Sequence, residues 1–120
     1  MSYEDTVKDI EKTFGMLPGF FKNTPKDVLP QMWPLFKKYQ IGESLIPKKY
    51  REMMMLASAA ATKCPYCQTY HREVAKMLGA TDQELGELAV VVVHSEKVIF
   101  LRPIISLDWL SALSLVYKIH

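Results

Sequence analysis

Residues 62 to 74 read Thr-Lys-Cys-Pro-Tyr-Cys-Gln-Thr-Tyr-His-Arg-Glu-Val and hold the chain's two cysteines, Cys64 and Cys67, with His71 four positions beyond the second. Two thiols in a Cys-x2-Cys box serve as a redox dithiol, as half of a zinc site, or as ordinary core side chains. If Cys64 opens a helix, then Cys64, Cys67 and His71 fall at i, i+3 and i+7, one stripe of the helix surface. The imidazole lies one turn from Cys67 and can act as its base. Cys64 sits near the helix N-terminus, where the dipole favours a thiolate. The same three residues could supply metal ligands, with Glu52 or His94 as a fourth. Cys-x2-Cys-x3-His is short for a structural zinc site, so no metal is assigned.

The elements that must position these groups decide between the redox folds. A thioredoxin-like dithiol follows a β-strand in a βαβ unit. Here the preceding residues 53 to 61 read Met-Met-Met-Leu-Ala-Ser-Ala-Ala-Ala, strong helix formers without a β-branched residue. The valine run 90 to 93 lies downstream of the box, and the glycine pair and proline loop of a glutaredoxin are absent. A glutaredoxin-like arrangement is therefore set aside, and the chain is read as all-α.

Boundary signals divide it into helices. Ser2-Tyr3-Glu4-Asp5 reads as an N-cap with acids in the first turn of a helix to Phe14. Gly15, Pro18 and Gly19 break the chain and leave Leu17, Phe20 and Phe21 as apolar anchors in a loop. Thr24-Pro25 predicts a capped restart, with Pro30 and Pro34 making the second helix kinked, divided or irregular. Pro47 opens a third helix over 48 to 61, and Lys63-Cys64-Pro65 marks the break before a fourth, running to about Leu78. Gly79 stands at its C-cap, and Thr81-Asp82-Gln83-Glu84 has the spacing of a capping box for a fifth helix that includes Val90 to Val93. Val98 to Tyr117 is very apolar; Pro103 should divide it, leaving a last helix near Leu107 to Lys118 that serves as core and as subunit interface. Met53, Met54 and Met55 read as core filling, His94 as a polar residue at a helix end, and His120 as a frayed terminus.

Folding the third helix back on the fourth near residues 61 and 62 would bring equidistant residues side by side, and Glu52 and His71 have their midpoint at 61.5. Glu52 could then hydrogen-bond His71, fixing its tautomer and strengthening it as a base, the role of the third member of a catalytic triad. One straight helix would instead hold Glu52 and Cys64 roughly 18 Å apart and defeat the relay.

Glu52, eleven residues, Cys64-Pro65-Tyr66-Cys67, three residues and His71 resemble the Glu-x11-Cys-x2-Cys-x3-His pattern of the AhpD-like alkylhydroperoxidases of the carboxymuconolactone decarboxylase superfamily. Arg51-Glu52 before an alanine-rich helix, and Ala75 followed by Gly79-Ala80-Thr81, agree with it; the resemblance spans residues 47 to 93. It implies an AhpD-like helical bundle in a homo-oligomer, trimer or hexamer. It also implies that Cys67 attacks a hydroperoxide, that Cys64 resolves the sulfenic acid to a disulfide, and that His71 and Glu52 relay protons. The reductant would be an external dithiol such as a lipoylated protein, with no bound cofactor. Tyr66 departs from the pattern, since the peroxidase subgroup can carry a histidine there. The superfamily's lactone decarboxylases lack the cysteine pair and form the alternative class, beside a non-catalytic or metal-binding helical module.

Size and composition fit this picture. The 120 residues are read as a single domain, small enough to gain from an oligomeric partner. Charged residues at 23% and a net charge of +2 give no reason to expect nucleic acid. Lys48-Lys49-Tyr50-Arg51 is the densest basic cluster and reads as a solvated helix start. No charged-then-apolar leader opens the chain, and its longest apolar run, Leu88 to Val93, is too short for a bilayer; a cytoplasmic location without membrane contact is expected. A structural disulfide is disfavoured in that reducing compartment.

Overall fold

The computed structural model describes the backbone of residues 1–101, 116 and 118, with the side chains of 1–95, 116 and 118. Among the described residues the secondary structure is helical throughout, without a strand. Six α-helices follow in order: α1 (Tyr3–Phe14), α2 (Gly19–Lys22), α3 (Leu29–Phe36), α4 (Lys48–Ala61), α5 (Pro65–Met77) and α6 (Asp82–Leu101), with a π-helical turn, Lys37–Ile41, after α3. The chain forms two compact units, Met1–Glu52 and a second beginning at Met53. None of the described helices is long and apolar enough to cross a membrane.

The first unit is built around aromatic rings. Ser2 caps α1, its hydroxyl accepting from the Asp5 amide at 3.1 Å, and Gly15 ends the helix in the left-handed region at φ +76°. Ile10, Phe21, Leu29 and Trp33 are buried together, with Phe14, Leu17 and Phe36 packed against them. The Phe21 ring meets Trp33 edge-on at 5.6 Å, and Phe36 stacks on Trp33 at 5.8 Å. Each such ring contributes about 1.5–3 kcal/mol by burial, and favourable pair geometry adds about 0.5–1.5. The Trp33 indole N–H donates to Asp9 at 2.6 Å, and Lys37 bridges both oxygens of the same carboxylate at 2.8 and 2.9 Å.

Two expectations change here. Phe20 and Phe21 do not lie in a loop, because Pro18 caps a single helical turn, α2, that drives Phe21 into the core. The next helix does not restart at Pro25 either. The Thr24 hydroxyl is spent on Phe20 O at 3.0 Å instead of capping, residues 25 to 28 form a turn, and α3 begins at Leu29. The expected irregularity is present: Pro34 lies inside α3 and removes a backbone donor, and the chain passes into the π turn three residues later.

In the second unit the local signals agree with the structure. Gly79 is left-handed at φ +97°, and the amides of Gly79 and Ala80 return to Lys76 O and Ala75 O, closing α5 in a Schellman motif. Thr81 and Glu84 cap α6 reciprocally, at 3.0 and 3.2 Å. Val90 to Val93 lie within α6 as expected. Among its described residues the buried apolar ones are the small Ala59, Ala75 and Ala80, while Met54, Met77, Val90, Val91 and Val93 are exposed. Met54 is thus not core filling. His94 stands within α6 and not at its end, its ring bonded to Val90 O at 2.8 Å. The expected break at Pro103 and the interface role lie outside the described residues, and of the last helix near Leu107 to Lys118 only Val116 and Lys118 are described, both helical.

Candidate functional site

The dithiol stands on the link between α4 and α5, and that link is closely determined. Helix α4 ends at Ala61, and the next residues close it as a Schellman motif: the Lys63 amide donates to Ala60 O at 3.2 Å and the Cys64 amide to Ala59 O at 3.0 Å. Such a motif needs a left-handed residue, usually glycine, and here Lys63 takes that place at φ +56°. Cys64, extended because Pro65 follows, ends this motif and at once becomes the N-cap of α5. Its Sγ accepts the Cys67 amide at 3.3 Å, and its carbonyl accepts the Gln68 amide at 2.9 Å.

Cys64 and Cys67 are joined as a disulfide with their Cα atoms 5.3 Å apart. Cys-x2-Cys at an N-cap brings the sulfurs together because N-cap and third helical residue face each other across the first turn. The Cys67 amide and the partial positive charge of this helix end favour negative charge on either sulfur when the bond opens. Both cysteines are half-buried, so a small reactant or a thiol can reach them.

His71 follows on the same helix one turn beyond Cys67, half-buried, its ring meeting Tyr70 edge-on at 5.2 Å. Residues at this spacing have Cβ atoms about 5–6 Å apart. Tyr66, between the cysteines, is exposed. The turn joining α4 to α5 is centred on Lys63 and not at 61.5: Gln68 of α5 donates back to Ala59 O at 3.4 Å. Two separate helices stand here instead of one straight helix. Glu52 is buried at 5% exposure and is the last residue of the first unit, whereas Cys64, Cys67 and His71 belong to the second. Among the described residues no three histidine, cysteine or acidic side chains gather as a metal-ligand set.

Sequence reasoning passed over Arg51. It was expected in a solvated basic cluster, yet it is 7% exposed and donates to two backbone carbonyls, Tyr39 O and Gly42 O. No signal in the sequence pointed to it, because its acceptors are backbone carbonyls brought there by the fold, one of them on Gly42, where a Cβ would lie 3.0 Å from Lys38 O.

Comparison with known proteins follows the same lines. Residues 28–95 match the model of the carboxymuconolactone decarboxylase family. No curated protein matches the sequence. Among solved structures the fold is similar to the alkylhydroperoxidase AhpD core from Rhodospirillum rubrum, at 22% identity and a TM-score of 0.68, over 88% of this chain and 82% of that one. The family match covers more than half of its length, so the chain, whose helical fold is similar to that of an AhpD core, belongs to the carboxymuconolactone decarboxylase family.

Proposed function

We infer that this protein is a thiol-dependent peroxidase of the alkylhydroperoxidase type, and the observation that carries the inference is the Cys64–Cys67 pair closed as a disulfide at the N-terminus of α5, with His71 one turn on. The Cys67 thiolate attacks the outer oxygen of a hydroperoxide and breaks the O–O bond, leaving a sulfenic acid. The alcohol departs after taking a proton, which His71 supplies. Cys64 then attacks the sulfenic sulfur, and water leaves as the disulfide forms. Glu52 is the carboxylate that orients His71 in this relay. Two electrons from an external dithiol, such as a lipoylated protein, regenerate both thiols and end as the donor's own disulfide. The helix dipole favours Cys64 at the N-cap, whereas His71 lies one turn from Cys67; in this reading the histidine outweighs the dipole and makes Cys67 the attacking group.

The exposed Met54, Met77, Val90, Val91 and Val93 support assembly into a homo-oligomer, trimer or hexamer, since a monomer has little reason to leave so many large apolar side chains in water. A cytoplasmic location, where thiol donors are abundant, suits the chemistry.

The deciding experiment adds one equivalent of an organic hydroperoxide to the reduced, metal-free protein and counts free thiols against an untreated control. Rapid loss of both thiols, restored by dihydrolipoamide, is the expected result. Cys67→Ser should abolish the reaction, while Cys64→Ser should leave a sulfenic acid that dimedone traps. Thiols that survive the peroxide would sink this function and turn attention to disulfide exchange and to lactone decarboxylation.

A further inference from the structure

We propose that Arg51 is a positioning residue for the relay, locking the start of α4 onto the preceding π turn and so setting the direction of its neighbour Glu52. The proposal rests on the reading that Glu52 orients the histidine base.

The π turn Lys37–Ile41 is capped by Gly42, and the last carbonyls of a helix lack intrahelical donors and need partners from elsewhere. Gly42 closes it, its amide donating to Lys37 O at 2.8 Å, and the closure is so tight that a Cβ there would press on Lys38 O and Lys37 O at 3.0 and 3.2 Å. Into this negative helix end projects the guanidinium of Arg51, with Nη1 donating to Tyr39 O and Nη2 to Gly42 O. Its Nε is buried without a hydrogen-bond partner, so the two carbonyls hold the fork. A rigid planar fork fixes direction where the single ammonium of a lysine would not.

Arg51 is helical, its amide bonded to Pro47 O at 3.1 Å, and the next residue is Glu52, also buried. Successive side chains of a helix are separated by a fixed rotation of about 100°. A roll of α4 that moved Glu52 would therefore also pull Arg51 from both carbonyls. The clamp and the carboxylate are coupled by covalent adjacency, within one compact unit.

Four proteins test this: wild type, Arg51→Lys, Glu52→Gln and the double variant, each reduced and then mixed with cumene hydroperoxide between pH 5 and 9, with thiol loss as the rate and far-UV circular dichroism as the check on folding. Arg51→Lys should keep its helix content and lose roughly 10- to 100-fold in rate, the scale on which small misplacements act. Its pH profile should move toward that of Glu52→Gln, and the double variant should be no slower than Glu52→Gln alone. A normal rate and profile for Arg51→Lys beside a slow Glu52→Gln would overturn the positioning role and leave the relay standing. Rate losses that multiply in the double variant would also overturn it, because Arg51 would then act independently of Glu52. If Arg51→Lys unfolds, the same comparison is made with Gly42→Ala, which disturbs the far side of the clamp. A Glu52→Gln protein as fast as wild type, or wild-type thiols indifferent to peroxide, would remove the relay and this proposal together.

Discussion

Opening the Cys64–Cys67 disulfide should cost the fold about 2 kcal/mol and no helix. The sequence separation of 3 closes a loop of four residues, and the chain-entropy relation for so short a loop gives about 6 cal/mol/K, hence about 2 kcal/mol at 25 °C, against about 4.7 for a loop of a hundred residues. The helices should persist because Cys64 is held from both sides without its sulfur: its amide is bonded to Ala59 O, and its carbonyl accepts from Gln68. Urea unfolding of the oxidised and the dithiothreitol-reduced protein, at one fixed protein concentration, measures the difference. Far-UV circular dichroism reports the helix content, and thermal midpoints should differ by roughly 6–12 °C for a chain of this size. A cost above about 4 kcal/mol, or a loss of ellipticity on reduction, would refute the argument. The pair would then be a structural staple instead of a bond made to open and close in turnover.

Other expectations are narrower. Thr81→Ala removes half of the capping box of α6 and should cost about 1 kcal/mol in urea unfolding without slowing thiol oxidation; a change in peroxide rate would mean that this helix end takes part in the site. Phe21→Ala empties the centre of the aromatic core and should cost about 3–5 kcal/mol, so a loss under 1 kcal/mol would show that the first unit does not depend on that ring. Lys37, and after it Trp33, hold the Asp9 carboxyl below its ordinary value of 3.8. A carboxyl lowered by folding stabilises the protein above its unfolded value and loses that contribution as the pH falls through the folded one. The stability advantage of wild type over Asp9→Asn should therefore be greatest near pH 6–7 and shrink below about pH 4. A gap independent of pH would contradict the assignment.

Much of this protein is written in short-range signals. Ser2, Gly15, Gly79 and the Thr81–Glu84 box act within one helical turn of themselves, and each does in the structure what its neighbours in sequence imply. The limits of α4 and the helical state of Val90 to Val93 were legible for the same reason, since propensity and periodicity over a dozen residues outweigh a local β-preference. The dithiol also belongs to this class: Cys-x2-Cys before a helix places both sulfurs on one turn by backbone geometry alone. Tertiary structure decided what depends on competition between distant groups. The Thr24 hydroxyl was taken by Phe20 O, so α3 starts four residues later than its cap implied. Lys63 holds a left-handed conformation better suited to glycine because two amide bonds to α4 and the start of α5 constrain it from either side. Arg51 left the solvent to donate to carbonyls nine and twelve residues away, and a sequence pattern that counts charges cannot register an acceptor supplied by the fold.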